Sequence, residues 1–190
     1  DRISISNQAK IYDRIEAIHS MFIAVEGIDG SGKTTLCTGL KHELESRGFR
    51  VFLTKEPTDD PSNYTGDDVL LFLLFTIDRY KHQRMIEEKL KECYIVISDR
   101  YISSSYSYQM AGIENFFGGE REAIMWMDAV SSVIVVRPDV EILIDIDVET
   151  AMERIASRSG RDSFENIRTV KMARDNYLKM KNNIILDGRL

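Results

Sequence analysis

The sequence is poor in several features that would mark other classes of protein. Its two cysteines, Cys37 and Cys93, are too few for a disulfide framework and lack metal-ligand spacing, which favours a reducing compartment, the cytoplasm. It contains no apolar run of the roughly 18 residues that a membrane-spanning helix needs. Its 25 basic residues stand against 31 acidic ones, and this balance argues against a nucleic-acid polymer as partner, which requires a basic face. The expected partners are therefore small molecules.

Short apolar runs alternate with segments of helical periodicity along the 190 residues, which suffice for one domain with a hydrophobic core. Strands are predicted at 21–26, 50–54, 94–98, 141–146 and 184–186. Helices are predicted at 33–47, in two patterns between 67 and 92, and at 103–111, 120–130, 148–157 and 164–181. Because strands that alternate with helices form parallel sheets, the sequence predicts an α/β fold of three αβα layers around a five-stranded parallel sheet.

The two ends of the chain differ from its middle. Residues 1–20 are polar with a thin apolar stripe, without the continuous apolar core of a signal peptide. They are interpreted as an extension that need not be native, and the domain as 21–190. A further helix would normally cover the sheet after the fifth strand, so we expect a C-terminal helix to be missing.

The first predicted strand leads into a complete phosphate-binding motif, G-x-x-x-x-G-K-T. Its residues are Gly27, Ile28, Asp29, Gly30, Ser31, Gly32, Lys33 and Thr34, followed by Thr35. Glycines let backbone N–H groups point at a phosphate, and the helix that begins near Lys33 adds its positive end. Lys33 is expected at the β- and γ-phosphates, and the Thr34 hydroxyl on Mg²⁺. The motif therefore predicts a P-loop that binds ATP and Mg²⁺.

Asp99 and Arg100 follow the third predicted strand. A carboxylate there can hold Mg²⁺ through water, and an arginine beside it can bind an acceptor phosphate through its two-pronged guanidinium. An Asp-Arg pair alone would fit a surface ion pair equally well. Its place at the end of a strand in a P-loop sheet favours the functional interpretation.

Phe75 and Arg79 lie at i and i+4 of a predicted helix and so share a face. An aromatic ring beside a guanidinium can stack on a base and bind an anion or carbonyl. Phe75 also belongs to the apolar run 70–75, for which core packing is the simpler explanation.

Five arginines surround a polar loop after the fourth strand: Arg154, Arg158, Arg161, Arg168 and Arg174. They fit either a solvated basic helix face or a helical lid over the nucleotide phosphates, at about 157–165. Their spacing does not separate the two interpretations.

Several of these stretches together resemble the thymidylate kinase family. They are Phe22 to Thr35, Thr54-Lys55-Glu56-Pro57, Leu74 to Arg79, Ser98 to Ser105, and Arg137 through Ile155. The resemblance extends from Met21 to about Leu186. It implies a homodimeric enzyme that transfers the γ-phosphoryl of ATP to dTMP, giving dTDP and ADP.

The resemblance also implies roles for residues of the acceptor site. Phe75 would stack on thymine, Arg79 would contact a thymine carbonyl or the monophosphate, and Arg100 would hold the monophosphate. Tyr108 would pack against the sugar and disfavour a 2′-hydroxyl, while Asp29 would lie near the 3′-hydroxyl. The remaining predicted substrate contacts are Glu56, Ser104 and Ser105. The predicted catalytic residues are Lys33, Asp29, Arg100, Arg158 and Arg161, and the predicted metal ligands are Thr34 and Asp99.

Two departures from the family pattern bear on catalysis. Many members carry an arginine where this chain has Gly30, and members without it resemble the subgroup whose lid supplies the catalytic arginine. Some members carry an arginine where this chain has Thr58 and Asp59.

A nucleoside kinase with Glu56 as general base remains an alternative. A regulatory nucleotide switch would carry an Asn-Lys-x-Asp sequence after a late strand, which is absent from this sequence.

Overall fold

The structure, a computed structural model, describes residues 20–59, 66–159, 167–180 and 184–188. Its strands are β1 (Met21–Glu26), β2 (Val51–Lys55), β3 (Ile95–Asp99), β4 (Val140–Asp145) and β5 (Ile184–Asp187). Its helices are α1 (Lys33–Ser46), α2 (Asp68–Lys91), α3 (Ile102–Phe117), α4 (Glu120–Ser131), α5 (Val148–Ser159) and α6 (Ile167–Lys179). Residues 1–19 of the predicted extension and 160–165 of the predicted lid lie outside the described residues.

The five strands form one parallel sheet in the order β2-β3-β1-β4-β5. Asp99, at the end of β3, is in register with Val25 of β1 on one side and with Lys55 of β2 on the other. The carboxyl ends of the three strands therefore meet at one edge of the sheet, where ligands bind in folds of this type. The predicted five-stranded α/β fold is confirmed.

Helices bury both faces of the sheet at the central strand β1, whereas the edge strand β5 is exposed. The side chains of β1 alternate between the two faces. Val25 packs with Cys37 of α1 on one face, and Phe22 packs with Ile86 of α2 on the other. This double burial gives the three predicted layers. No described helix combines the length and apolar composition that a bilayer crossing requires.

Two predicted helices differ from the observed ones. The two patterns expected between 67 and 92 form a single helix of 24 residues, α2, because no glycine or proline interrupts it. Helix α3 continues past the predicted end at Ala111 to Phe117 and stops at Gly118 in the left-handed conformation. Gly112 lies inside it, where an added Cβ would come within 2.0 Å of the Asp68 carboxylate, so this glycine permits close packing of α3 against α2.

Candidate active site

The P-loop connects β1 to α1 and requires its glycines. Gly27, Gly30 and Gly32 have φ values of 143°, 80° and 100°, which side-chain-bearing residues rarely adopt. A Cβ on Gly27 would lie 2.7 Å from the Ile144 carbonyl oxygen, and one on Gly30 would lie 2.4 Å from that of Ala151. A side chain at Gly27 or Gly30 would therefore clash with the neighbouring backbone of β4 or α5, in addition to straining the loop.

Lys33, the first residue of α1, is buried within this loop. Its Nζ donates hydrogen bonds to the carbonyl oxygens of Gly27 at 3.0 Å and Ile28 at 2.8 Å. Burial, and then the positive charge of Arg100, lower the pKa of Lys33 to about 8. A poorly solvated ammonium beside the N-terminus of a helix is well suited to bind phosphate.

Thr34 and Asp99 meet at the mouth of the loop. The Thr34 Oγ1 donates a hydrogen bond of 2.6 Å to Asp99 Oδ2. A hydroxyl and a carboxylate oxygen are ligands that Mg²⁺ accepts, and the ion takes its remaining ligands from water and substrate phosphates. No cluster of three or more acidic, histidine or cysteine side chains that could hold a metal occurs in the described part of the chain. The donor set therefore fits a nucleotide-bound Mg²⁺ rather than an all-protein metal cage.

Arg100 lies between the P-loop and helix α3. Its guanidinium forms an ion pair with Asp29 at 2.5 Å and donates to Ser104 Oγ at 3.0 Å. Its backbone has φ 76°, a conformation that costs a non-glycine residue energy and often marks functional sites. The backbone N–H of Arg100 donates to the Val25 carbonyl at 2.9 Å, which attaches the arginine directly to strand β1.

Asp29 is bound from a second side by Tyr108 of α3. The Tyr108 hydroxyl accepts from the Asp29 backbone N–H at 2.9 Å and donates to its Oδ2 at 3.3 Å. Burial acts to raise the pKa of Asp29, but the charges of Arg100 and Lys33 lower it below its usual value. Asp29 is therefore held as a carboxylate between the two cations.

A second cavity of about 270 Å³ lies beside this group, between α2 and α3. Phe75 forms part of its apolar lining, and Arg79 and Gln109 contribute polar groups. Arg79 Nη1 and Gln109 Oε1 are buried without a hydrogen-bond partner in the described residues. Such orphaned groups are costly unless a ligand satisfies them. The cavity therefore combines an apolar wall with the polar side chains of Arg79 and Gln109, which suits a nucleobase.

Glu56 anchors Arg79 from the end of β2. Its Oε2 accepts from Arg79 Nε at 2.7 Å, and its Oε1 lies 2.9 Å from His82 Nδ1. The other ring nitrogen of His82 is 2.8 Å from Thr54 Oγ1. Arg79 Nη2 also donates to Ser105 Oγ at 3.2 Å. Both oxygens of Glu56 are therefore engaged, and the carboxylate positions Arg79 rather than facing solvent.

A family model described as thymidylate kinase matches residues 25–187. The chain belongs to the thymidylate kinase family. It is 54% identical over 169 residues to a probable thymidylate kinase of Thermoplasma acidophilum, covering 88% of each chain. It is 59% identical over 140 residues to a probable thymidylate kinase of Thermoplasma volcanium, covering 74% of each chain. It is 42% identical to the one of Picrophilus torridus, covering 80% of this chain and 77% of the relative.

The geometry brings most of the predicted site residues of this thymidylate kinase family member together, but Gly27, Ile28 and Ser31 of the P-loop line neither cavity, and Ile28 is buried in the core. Those lining the two adjoining cavities are Asp29, Gly30, Gly32, Lys33, Thr34, Thr35, Glu56, Phe75, Arg79, Asp99, Arg100, Ser104, Ser105 and Tyr108. The side chain of Arg158 and the whole of Arg161 lie outside the described residues. Arg154 donates to the carbonyl oxygens of Gly30 at 3.4 Å and Gly188 at 3.0 Å. Arg174 is paired with Asp145 at the end of β4.

Sequence reasoning missed several residues of the site. Gln109 follows the predicted Tyr108 directly, and His82 comes three residues after Arg79 on the same helix. Glu26 and Tyr177 form buried hydrogen bonds behind Arg100. Helical spacing could have indicated His82, whereas the other contacts depend on elements that meet only in the folded chain.

Proposed function

We propose that this member of the thymidylate kinase family transfers the γ-phosphoryl of ATP to dTMP, giving ADP and dTDP, with the groups that line the two cavities. This assignment rests on the observation that the two cavities join. A cavity of about 640 Å³ at the P-loop and the smaller base-sized cavity share Asp29, Glu56, Pro57 and Arg100 as lining residues. An acceptor phosphate at this junction would lie between Arg100 and the donor phosphates.

The acceptor nucleotide would lie across the smaller cavity. Thymine would stack against Phe75, with the free Arg79 Nη1 and the Gln109 amide at its edge, and Ser105 beside Arg79. Tyr108, which is bound to the Asp29 backbone, would pack against the sugar, and Asp29 would lie near the 3′-hydroxyl. Arg100 would hold the monophosphate, supported by Ser104.

The donor nucleotide would occupy the P-loop. Lys33 would exchange its bonds to the loop carbonyls for the β- and γ-phosphates, with backbone N–H groups from Gly27 to Thr35 around them. Thr34 and Asp99 would hold Mg²⁺, which supplies positive charge that offsets the phosphate charges. A further cavity between α1 and β5, lined by Thr35 and Arg154 among others, would receive the adenosine part of ATP.

Catalysis by these groups would be positioning together with charge neutralisation. The attacking oxygen belongs to a phosphate that is ionised at neutral pH, so no general base has to remove a proton from it. Lys33 and Arg100 would neutralise charge on either side of the transferring group. A lid at about 157–165 would exclude water and bring Arg158 or Arg161 onto the donor phosphates.

The alternative of a nucleoside kinase is less well supported. That reaction needs a base close to a sugar hydroxyl, and Glu56 would be the candidate. Both oxygens of Glu56 are already bound, to Arg79 at 2.7 Å and to His82 at 2.9 Å.

We also propose that the enzyme is a cytoplasmic homodimer. Helix α2 leaves an exposed apolar stripe at helical spacing, formed by Leu70, Leu73, Ile77 and Tyr80, which would pack against its copy in a second chain. Light scattering after size exclusion should give twice the chain mass for the wild type. Ile77→Asp, which places a charge in the stripe, should give the monomer mass.

A coupled assay with ATP tests the activity itself. dTMP, thymidine, dUMP and dCMP are each supplied as acceptor at matched concentrations. We expect the highest kcat/KM with dTMP. A higher kcat/KM with thymidine would refute the monophosphate assignment.

A further inference from the structure

The end of strand β1 carries a carboxylate that none of the roles above uses. Glu26 is fully buried. Its Oε1 accepts from the backbone N–H of Tyr101 at 2.8 Å and of Ser104 at 3.3 Å, and its Oε2 accepts from Ser104 Oγ at 2.6 Å and the Tyr177 hydroxyl at 2.9 Å. A buried carboxylate is strongly unfavourable unless donors surround it in this way.

Glu26 also compensates for a missing helix cap. Helix α3 begins after Tyr101, whose own side chain makes no capping hydrogen bond. The first N–H groups of a helix need acceptors, and a negative charge is favourable at that end. Glu26, on β1, supplies the acceptor and the negative charge at this end of α3. It thereby fixes the start of α3 relative to β1.

The cluster continues to the residue proposed to hold the acceptor phosphate. Arg100 Nη1 donates to Ser104 Oγ at 3.0 Å. The Ser104 hydroxyl has one proton, and its bond to Glu26 uses that proton and leaves lone pairs for Arg100. The orientation of the Arg100 guanidinium thus depends on which way the Ser104 hydroxyl points.

Tyr177 completes the cluster from α6, the helix that follows the predicted lid. It is buried, and its hydroxyl lies 2.8 Å from Ser104 Oγ as well as 2.9 Å from Glu26 Oε2. Its ring meets that of Tyr108 edge to face, with centroids 6.4 Å apart. Tyr177 therefore contacts two residues of the acceptor site without lining the cavity itself.

We infer that Tyr177 is a positioning residue for the acceptor phosphate, which acts through Glu26 and Ser104 on the orientation of Arg100. The inference rests on the proposed role of Arg100. The Tyr177 hydroxyl reaches Ser104 and Glu26, and only through Ser104 the phosphate-binding arginine, whereas the contact with Tyr108 is made by the ring. Loss of the hydroxyl therefore affects the binding of dTMP but not of ATP, nor of thymidine, which has no phosphate.

Tyr177→Phe removes only the hydroxyl and keeps the ring. Tyr106→Phe is the matched control, because the Tyr106 hydroxyl also donates to a carboxylate, Asp128, at 2.6 Å, on the side of α3 that faces α4. By calorimetry we expect Tyr177→Phe to weaken dTMP binding about fivefold and to leave ATP and thymidine binding within about twofold. Tyr106→Phe should leave all three unchanged. Equal losses for dTMP and thymidine would overturn the inference.

A double-mutant cycle with Arg100→Ala tests the route. In that background Tyr177→Phe should change the Kd of dTMP by less than about twofold, because the group through which it acts is gone. A full fivefold effect in the absence of the guanidinium would overturn the inference. Arg100→Ala alone tests the premise: unchanged dTMP binding would refute the proposed role of Arg100 itself, whatever Tyr177→Phe does.

Discussion

The P-loop holds its functional groups within consecutive residues, whereas the acceptor site combines Asp29 of the P-loop with polar side chains that follow β2 and β3 or lie on α2 and α3. Gly27 to Thr34 are one continuous segment, a loop that runs into the first residues of α1, and Lys33 is bound by the carbonyls of Gly27 and Ile28 in that segment. Arg79, in contrast, is held by Glu56, 23 residues away, and by the Tyr101 carbonyl, 22 residues away.

This difference teaches where each half is sensitive to mutation. In the P-loop, backbone N–H groups would bind the phosphate, so we expect its glycines and Lys33 to be the least replaceable, with Asp29 and Thr34 needed for the contacts they make at the loop mouth. The acceptor site depends on side chains that position other side chains. Removing one of them leaves a buried partner unsatisfied, which costs about 1–3 kcal/mol. Four predictions test this contrast, from the largest expected effect to the smallest.

Lys33→Ala is expected to abolish phosphoryl transfer while the fold survives. The variant removes the P-loop side chain that we expect at the β- and γ-phosphates, and the loop backbone remains. The coupled assay with dTMP and circular dichroism measure the two outcomes. Lys41→Ala is the control, since Lys41 lies on the same helix and pairs with Glu45 at the surface. Near-normal turnover by Lys33→Ala would contradict the P-loop assignment.

The double variant Arg158→Ala, Arg161→Ala is expected to lower kcat about 10³-fold, because an arginine on the transferring phosphoryl contributes mainly in the transition state. Binding of dTMP should change little. Arg168→Ala, at an exposed position of α6, is the control and should retain wild-type kcat. The opposite result would be a kcat of the double variant within about threefold of wild type, roughly 0.7 kcal/mol. That result would contradict the lid-arginine hypothesis and mean that the P-loop alone supplies the charge needed on the donor phosphates.

Arg79→Lys is expected to raise the KM for dTMP roughly 10- to 100-fold, because lysine can pair with Glu56 but lacks the free Nη1 group. Steady-state kinetics with dTMP and ATP varied separately measure it. Arg174→Lys is matched in chemistry, since Arg174 makes a two-pronged pair with Asp145 outside the cavities. It should lower Tm without changing the KM for dTMP. An unchanged KM in Arg79→Lys would remove this arginine from the base site.

Tyr108→Ala is expected to reduce discrimination between dTMP and its ribose counterpart by at least about fivefold, because the ring leaves a 2′-hydroxyl without space or partner. Tyr108→Phe keeps the ring and loses only the two hydrogen bonds to Asp29, so it should keep the discrimination. The ratio of kcat/KM values for the two nucleotides measures both. The same ratio in wild type and Tyr108→Ala would show that another residue selects the sugar.

The sequence predicted the donor half from its motif, whereas for the acceptor half the residues alone indicated Arg100 and left the Phe75–Arg79 pair open, and the other contacts came from the resemblance. Spacing alone left Phe75 between core packing and base stacking, and the structure places it on the wall of a cavity with Arg79. Gln109 carried no signal, because an amide on a helix has no characteristic spacing. Two helical patterns were predicted for α2 because the buried face changes along its length, which breaks the apolar periodicity. The backbone nevertheless forms one continuous helix.

By itself the sequence determined the phosphate-binding loop, the parallel α/β sheet and the residue types at the strand ends. These depend on neighbours in the chain: glycine conformations, apolar runs and the start of a helix. Only the tertiary structure decided that Glu56 binds Arg79 and that Glu26 meets Tyr177, 151 residues away. A buried charge takes whichever donors the packed elements bring to it, and that choice is made when strands and helices meet.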